Sequence, residues 1–198
     1  MKNFEIRKHS IIMLLGILVF LGACSTVPFS DRQQLTLLPS SQMLSMSFTN
    51  YDQFLDEHPP VTNTRDARQV KQVGNKIASA VEKYMRDNNM ESRLEGFDWE
   101  FNLVAEDSPN AWCMPGGKVV VYKGILPYTK TEAGLATVMG HEIAHAIARH
   151  GNERMSQQLL VQAGGMALNA YLEKNEEESR ELFMMAYGVG SAVGIMLP

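Results

Sequence analysis

Residues 141–145 read His-Glu-Ile-Ala-His, and no other stretch so narrows what this chain must build. Residues four apart on an α-helix lie one turn up and about 40° around, so His141 and His145 reach one ion only if the segment is helical. Histidine nitrogens hold Zn2+ at about 2.0–2.1 Å, and the ion polarises a water so that hydroxide becomes available near neutral pH. Glu142 points along nearly the same face, where it can take a proton from that water and later deliver it to a leaving amine. Thr129 and Glu132 fit a capping box, so the helix should start there, run to about His150 and stop at Gly151. Ala136, Gly140, Ala144 and Ala148 form a smooth ridge against which another backbone can pack closely. The five-residue pattern also arises by chance; its place inside a capped helix argues for a metal centre.

His150 is the nearest candidate for a third ligand. The extended pattern H-E-x-x-H-x-x-G-x-x-H needs glycine at 148 and histidine at 151, where Ala148 and Gly151 stand. On a continuous helix His150 also sits about 140° around from His145. A capping or supporting role near the helix C-terminus is expected instead, since a cation suits the dipole there.

The chain begins with the order of a secretion signal: Lys2, Arg7 and Lys8, an apolar run from Ile11 to Leu21, then Gly22 and Ala23. That run of about eleven residues is shorter than the roughly 20 a spanning helix needs, so a permanent transmembrane anchor is the weaker reading. Leu21-Gly22-Ala23-Cys24 resembles a bacterial lipobox, which makes Cys24 the lipid attachment residue; an ordinary cleaved signal with an incidental cysteine is the alternative. Ser25 stands where an aspartate would resemble an inner-membrane retention signal, so the expected location is the bacterial envelope, at the outer membrane facing the periplasm. The expected division is a signal over 1–23, a lipid-anchored tether with one short strand over 24–39, and a single domain over 40–198. With Cys24 lipidated only Cys113 remains, so no internal disulfide supports the fold. Loss of residues 1–23, with Lys2, Arg7, Lys8 and Glu5, moves the formal net charge from −4 to −6. No Lys/Arg cluster offers a surface for phosphates, which excludes nucleic acid as a partner.

The periodicity predicts an α+β fold, mainly helical, with a small β-sheet packed on the metal-binding helix. Ser40 or Ser41 caps a helix with Leu44, Phe48, Tyr51 and Leu55 inward, ended by His58-Pro59-Pro60. Thr64 caps a second, with Val70, Val73, Ile77, Val81 and Tyr84 on one face. Phe97, Trp99, Phe101 and Leu103 alternate with polar residues as in a strand with one buried face. A breaker-rich loop from Glu106 to Gly117 leads to a Val-rich strand at Lys118 to Tyr122, and the two strands should share one sheet. Beyond the metal helix, Asn152 to Leu172 reads as a helix with Leu159, Ala163, Met166 and Ala170 inward. Glu173 to Arg180 reads as a charged connection, and Leu182 to Leu197 as an apolar segment.

Several of these segments together carry a resemblance: Asp31-Arg32-Gln33-Gln34-Leu35, Asn110-Ala111, Pro115-Gly116-Gly117, Val119-Val120-Val121-Tyr122, and Val138 through His145 with Arg149-His150. The chain resembles the HtpX-like and CAAX-prenyl-protease-like zinc metallopeptidases, in particular their periplasmic lipoprotein branch typified by BepA and LoiP. The resemblance implies a gluzincin-type domain, one Zn2+ held by His141 and His145, and Glu142 as general base and acid. It implies an endopeptidase acting on unfolded or misassembled envelope proteins, tethered to the membrane by its lipid. It also implies a third ligand, a glutamate in an E-x-x-x-D motif on a helix after a segment like Leu182 to Pro198, so the chain is expected to end before it. Glu177, Glu178 and Glu181 are the downstream carboxylates clustered enough to substitute, though they read more simply as a solvated helix start. Ala186, Gly190 and Gly194 want a packing partner, which suits that expectation; a membrane-inserting hairpin is the rival reading.

A substrate peptide is expected to add as a strand alongside Lys118 to Tyr122, near Asn110, Val119, Val120 and Val121, unless those residues only complete the sheet. Cys113, in the same loop, is a buried apolar contact in preference to a thiolate on the open metal position. The alternative function is a non-catalytic, chaperone-like or binding lipoprotein with an incomplete metal site. No oligomeric state is specified.

Overall fold

The computed structural model describes residues 24–27, 32–163 and 174–186. The expected signal over 1–23, Met166, Ala170, Gly190 and Gly194 lie outside the described residues. The expected α+β, mainly helical architecture is present.

A two-stranded antiparallel ribbon opens the described chain, β1 (Cys24–Thr26) against β2 (Gln33–Leu35). Pro39, in extended conformation, occupies the N-cap of α1 (Ser40–Glu57), so neither Ser40 nor Ser41 caps it. The buried face of α1 is Met43, Ser47, Asn50, Tyr51 and Phe54, turned from the predicted stripe so that Leu44, Phe48 and Leu55 are only half-buried. Aromatic geometry sets that rotation: Phe54 and Tyr51 meet Trp112 edge-on, with ring centroids 5.0 Å and 6.1 Å away.

Thr64 caps α2 (Arg65–Asp87) as predicted, its hydroxyl accepting the Ala67 N–H at 3.1 Å. Val70 and Val73 are buried; Tyr84 is 48% exposed and Met85 takes the inward place. Gly74 lets the helix backbone rest on the Phe101 ring, since a Cβ there would stand 2.3 Å from it.

The sheet holds β3 (Glu100–Val104), β4 (Ala111–Met114) and β5 (Lys118–Tyr122) in the order β3-β5-β4, with β5 parallel to β3 and antiparallel to β4. β4 was hidden in the expected loop. The tight return from β4 to β5 places Gly116 and Gly117 at φ +85° and +81°, where a side chain is strained. Both faces of the sheet are covered, which overturns the expectation of one buried face for β3. On one face Trp112, Met114, Val104, Val120 and Tyr122 pack beneath α1. On the other, Phe101, Leu103, Ala111, Cys113, Val119 and Val121 pack with Val70 and Val73 of α2. Asn102 faces the first of these, where its amide donates to the Tyr51 hydroxyl at 3.0 Å and to Glu100 at 2.8 Å.

Four helices complete the described fold: the short α3 (Leu126–Thr129), α4 (Glu132–Ile147), α5 (His150–Ala163) and α6 (Glu176–Ala186). Part of the expected charged connection is therefore helical, with Glu176, Glu177 and Glu178 in the first turn of α6, where the dipole favours negative charge. Leu182 and Phe183 join Met155 and Leu159 in the core beneath α1. Among the described residues no helix is long and apolar enough to cross a membrane.

Candidate active site

The expected motif helix forms, with different ends. The Thr129 hydroxyl donates to the Leu126 carbonyl at 3.2 Å and closes α3, and Lys130 turns the chain through a left-handed conformation. Thr131 is the N-cap of α4, accepting the Gly134 N–H at 3.1 Å. Glu132 pairs with Lys76 of α2. At the other end α4 stops at Ile147, Ala148 caps it, Arg149 adopts φ +60°, and Gly151 lies inside the next helix.

Leu135, Met139, Ile143, Ala146 and Ile147 bury one face of α4 in the core that contains Cys113 and Ala111 of β4. That burial fixes where the motif residues point: His141 is exposed, His145 is half-buried, and Glu142 is 8% exposed at the edge of the packed face. Among the described residues the expected ridge is covered at its two ends and open in the middle: Ala136 is partly buried against the core. Ala148 is buried, but Ala144 is exposed and a Cβ built on Gly140 meets nothing within 4 Å.

The two motif imidazoles converge, their Nε2 atoms 2.9 Å apart and their rings nearly perpendicular at 86°. Two nitrogens on one tetrahedral ion stand about 3.3 Å apart, so the pair needs only a small opening from 2.9 Å to hold one. The chemistry of the donors fits as well. Burial, with smaller pushes from His141, His150 and Arg154, lowers the His145 pKa to about 4, so it is neutral as a ligand must be. Burial likewise raises the Glu142 carboxyl to about 7, against a weaker opposing pull from Arg154. A carboxyl at that value exchanges protons near neutral pH, as a general base and acid requires.

His150 is not a third ligand on the ion side. Its Nδ1 lies 2.6 Å from the Nδ1 of His145, across the ring from the Nε2 that faces His141. The 140° separation expected on a continuous helix does not apply, because the helix breaks at Ala148 and Arg149. Among the described residues no group of three or more His, Cys, Asp and Glu side chains is placed to hold an ion, so Glu177, Glu178 and Glu181 do not complete the site.

Cys113 is 4% exposed, and burial, reinforced by the nearby Glu142 charge, pushes its thiol far above the usual range. It is a packed thiol rather than a thiolate. Val119, Val120 and Val121 are fully buried in the central strand, with β3 on one side and β4 on the other. No substrate strand can pair there, which corrects the expected docking edge. Asn110 is 1% exposed just before β4, and its carbonyl accepts the Tyr122 N–H at 3.0 Å. Cys24 lies in the ribbon with its backbone paired to Leu35.

Sequence reasoning missed the groups that support the metal helix from its C-terminal end. Arg32 forks onto Glu153 of α5 with both nitrogens at 2.6 Å, across 121 residues of sequence. It also missed β4, although Ala111-Trp112-Cys113-Met114 is a short unbroken apolar run of the kind a buried strand shows.

The profile of peptidase family M48 matches residues 67–198, two thirds of the chain. Mitochondrial metalloendopeptidase OMA1 of Saccharomyces cerevisiae is 31% identical over 171 residues, which cover 82% of this chain and 48% of that protein. OMA1 of Arabidopsis thaliana is 48% identical over 68 residues, 34% of this chain and 14% of that protein. The beta-barrel assembly-enhancing protease of Escherichia coli is 38% identical over 60 residues, 30% of this chain and 12% of that protein. The chain thus spans about half the length of the yeast relative and less of the other two. With the paired imidazoles, the buried carboxyl and a family profile reaching across the whole motif helix, the chain belongs to peptidase family M48.

Proposed function

We propose that this chain carries the catalytic machinery of a zinc-dependent endopeptidase. One observation supports it above the rest: the Nε2 atoms of His141 and His145 meet at 2.9 Å, on the same helix as a buried Glu142 carboxyl whose pKa is about 7. His141 and His145 would hold the ion, and a third ligand, a glutamate on the family resemblance, would come from outside the described residues. When bound, Zn2+ supplies a Lewis acid that makes water acidic enough to attack near neutral pH. Glu142 accepts the proton lost from the attacking water and passes it to the departing amine as the peptide bond breaks. Its burial excludes bulk water and keeps that proton local.

The substrate route follows from the sheet order. Among the described residues β4 is the outer strand and pairs with β5 alone, but its four residues are at most 4% exposed, so an extended peptide would add to its outer edge only where the chain covering that edge moves aside. Asn110 marks where that edge begins. We assign the protein to the bacterial cell envelope, lipid-anchored through Cys24 at the outer membrane with the domain in the periplasm. Unfolded or misassembled envelope proteins would be its substrates. The signal-like start, the lipobox and the likeness to a protease named for β-barrel assembly support this reading.

A second reading has one observation behind it: the described residues supply two ligands where catalytic zinc takes three. On that reading the protein binds unfolded chains without cutting them. Zinc content and casein cleavage, measured for the wild type and for Glu142→Gln, separate the two. Cleavage lost in the variant with zinc retained supports the peptidase; zinc without cleavage in either supports the binding protein. Equal cleavage by both, or a protein that takes up no zinc, overturns the proposed mechanism.

A further inference from the structure

The end of the metal helix is built to bring a third imidazole back over the second. The Ala148 N–H still bonds the Ala144 carbonyl at 2.9 Å, but Arg149 then turns through φ +60° and His150 opens a new helix. That turn sets the His150 ring 4.9 Å from the His145 ring, centroid to centroid, with the Nδ1 atoms 2.6 Å apart. α5 is tied down on the side facing the N-terminal segment. Arg32 forks onto Glu153, the Asn152 amide donates to the Leu38 carbonyl at 3.1 Å, and Ser156 accepts the Leu37 N–H at 2.9 Å. His150 is therefore held in place and is not free to swing away.

Resting on the metallopeptidase reading above, we propose that His150 is a positioning residue that keeps the His145 proton on Nδ1, leaving Nε2 free to bind metal. A neutral imidazole carries one N–H, so the short Nδ1–Nδ1 bond runs in one of two directions. If His150 donates, the His145 proton sits on Nε2 and blocks ligation. If His145 donates, its Nε2 lone pair faces His141 and the ion, and His150 carries its own proton on Nε2. The second direction is the one the chain of rings favours. With no metal bound, His141 then donates from Nε2 to His145 and both end rings hold the Nε2–H form that histidine side chains prefer in water; the exposed His141 ring would exchange that proton to Nδ1 on taking up the ion. Metal-binding histidines usually hand their second proton to a carboxylate or a carbonyl; here a neutral imidazole takes that place.

Two variants of the full chain test this. His150→Phe fills the same space without an acceptor, whereas His150→Asn puts an amide oxygen near the position of Nδ1. In chelator-treated, 15N-histidine-labelled protein, long-range proton–nitrogen spectra should show His145 as the Nδ1–H tautomer in wild type and His150→Asn, and shifted toward Nε2–H in His150→Phe. Zinc affinity, from competition with a chromophoric chelator, should fall roughly 10–100-fold in His150→Phe and stay near wild type in His150→Asn. An Nε2–H tautomer at His145 in the wild type overturns the proposal. So does a folded His150→Phe, judged by circular dichroism, that binds zinc as tightly as wild type. If His150→Phe does not fold, the wild-type and His150→Asn tautomers still decide. If the wild type binds no zinc, the metallopeptidase reading fails, while the tautomer in chelated protein still reports on His150.

Discussion

The two faces of the central sheet bury polar groups on opposite terms. Beneath α1, the Asn102 amide donates to Tyr51 and Glu100, Lys118 reaches Asp98 at 2.8 Å and Glu100 at 3.3 Å, and the Trp112 indole meets the Tyr122 hydroxyl at 3.4 Å. Each of these groups has a partner, so its desolvation is offset. On the α4 face Glu142 is buried with its carboxyl driven up to about 7, and His145 is driven down to about 4. The first face stabilises the fold; the second holds groups away from their preferred charge states, as a reactive site does. Substitutions on the two faces should therefore differ in sign as well as size.

The largest effect is expected on the paired face. Trp112 is fully buried between Phe54 and Tyr51, and truncating a core aromatic costs about 3–5 kcal/mol. Trp112→Ala should lower unfolding stability by that amount in urea titrations. A loss below about 1 kcal/mol would mean that this face is not the core it looks to be.

The reactive face should answer in the opposite direction. Glu142 has a folded pKa of about 7 against an ordinary value of 4.5. Between those values the unfolded chain has released the proton and the folded one keeps it. Stability therefore falls as pH rises from about 4.5 to 7, by at most about 3 kcal/mol. Glu142→Gln lacks this titration. In chelator-treated protein it should gain on the wild type steadily across that window, even though the proposed mechanism has it lose cleavage. Equal pH dependence in the two proteins would show that the carboxylate is stabilised by something other than its buried surroundings.

The same contrast explains what was legible in the sequence. The motif was, because a helix brings His141 and His145 together through local spacing alone, and so was the Thr64 cap. Thr129 and Thr131 both satisfy cap chemistry; the left-handed turn at Lys130 decides between them, and the sequence carries no clear mark of it. β4 is four residues between Pro109 and Pro115, too short to show a period and stable only because β5 pairs with it. The rotation of α1 depends on where Trp112 sits, which is a property of that missed strand. The angle expected for His150 assumes an unbroken helix; the break at Arg149 removes that angle and brings its Nδ1 to 2.6 Å from that of His145. The Arg32–Glu153 fork joins positions too distant for any local pattern.

The smallest effect tests what lies over the reactive face. Gly140 is in the middle of α4, and a Cβ there meets nothing within 4 Å among the described residues. Glycine inside a helix costs about 0.5–1 kcal/mol relative to alanine. On that ground Gly140→Ala should raise stability by this amount, read as a small rise in the urea midpoint with unchanged slope. If a backbone from outside the described residues packs on the small side chains of Ala136, Gly140 and Ala144, the added methyl group would instead collide with it. The midpoint would then fall and zinc affinity would fall with it, since the same covering segment would be the natural carrier of the third ligand. A gain in stability together with unchanged zinc affinity would leave this strip open and require the third ligand to approach His141 and His145 from another side.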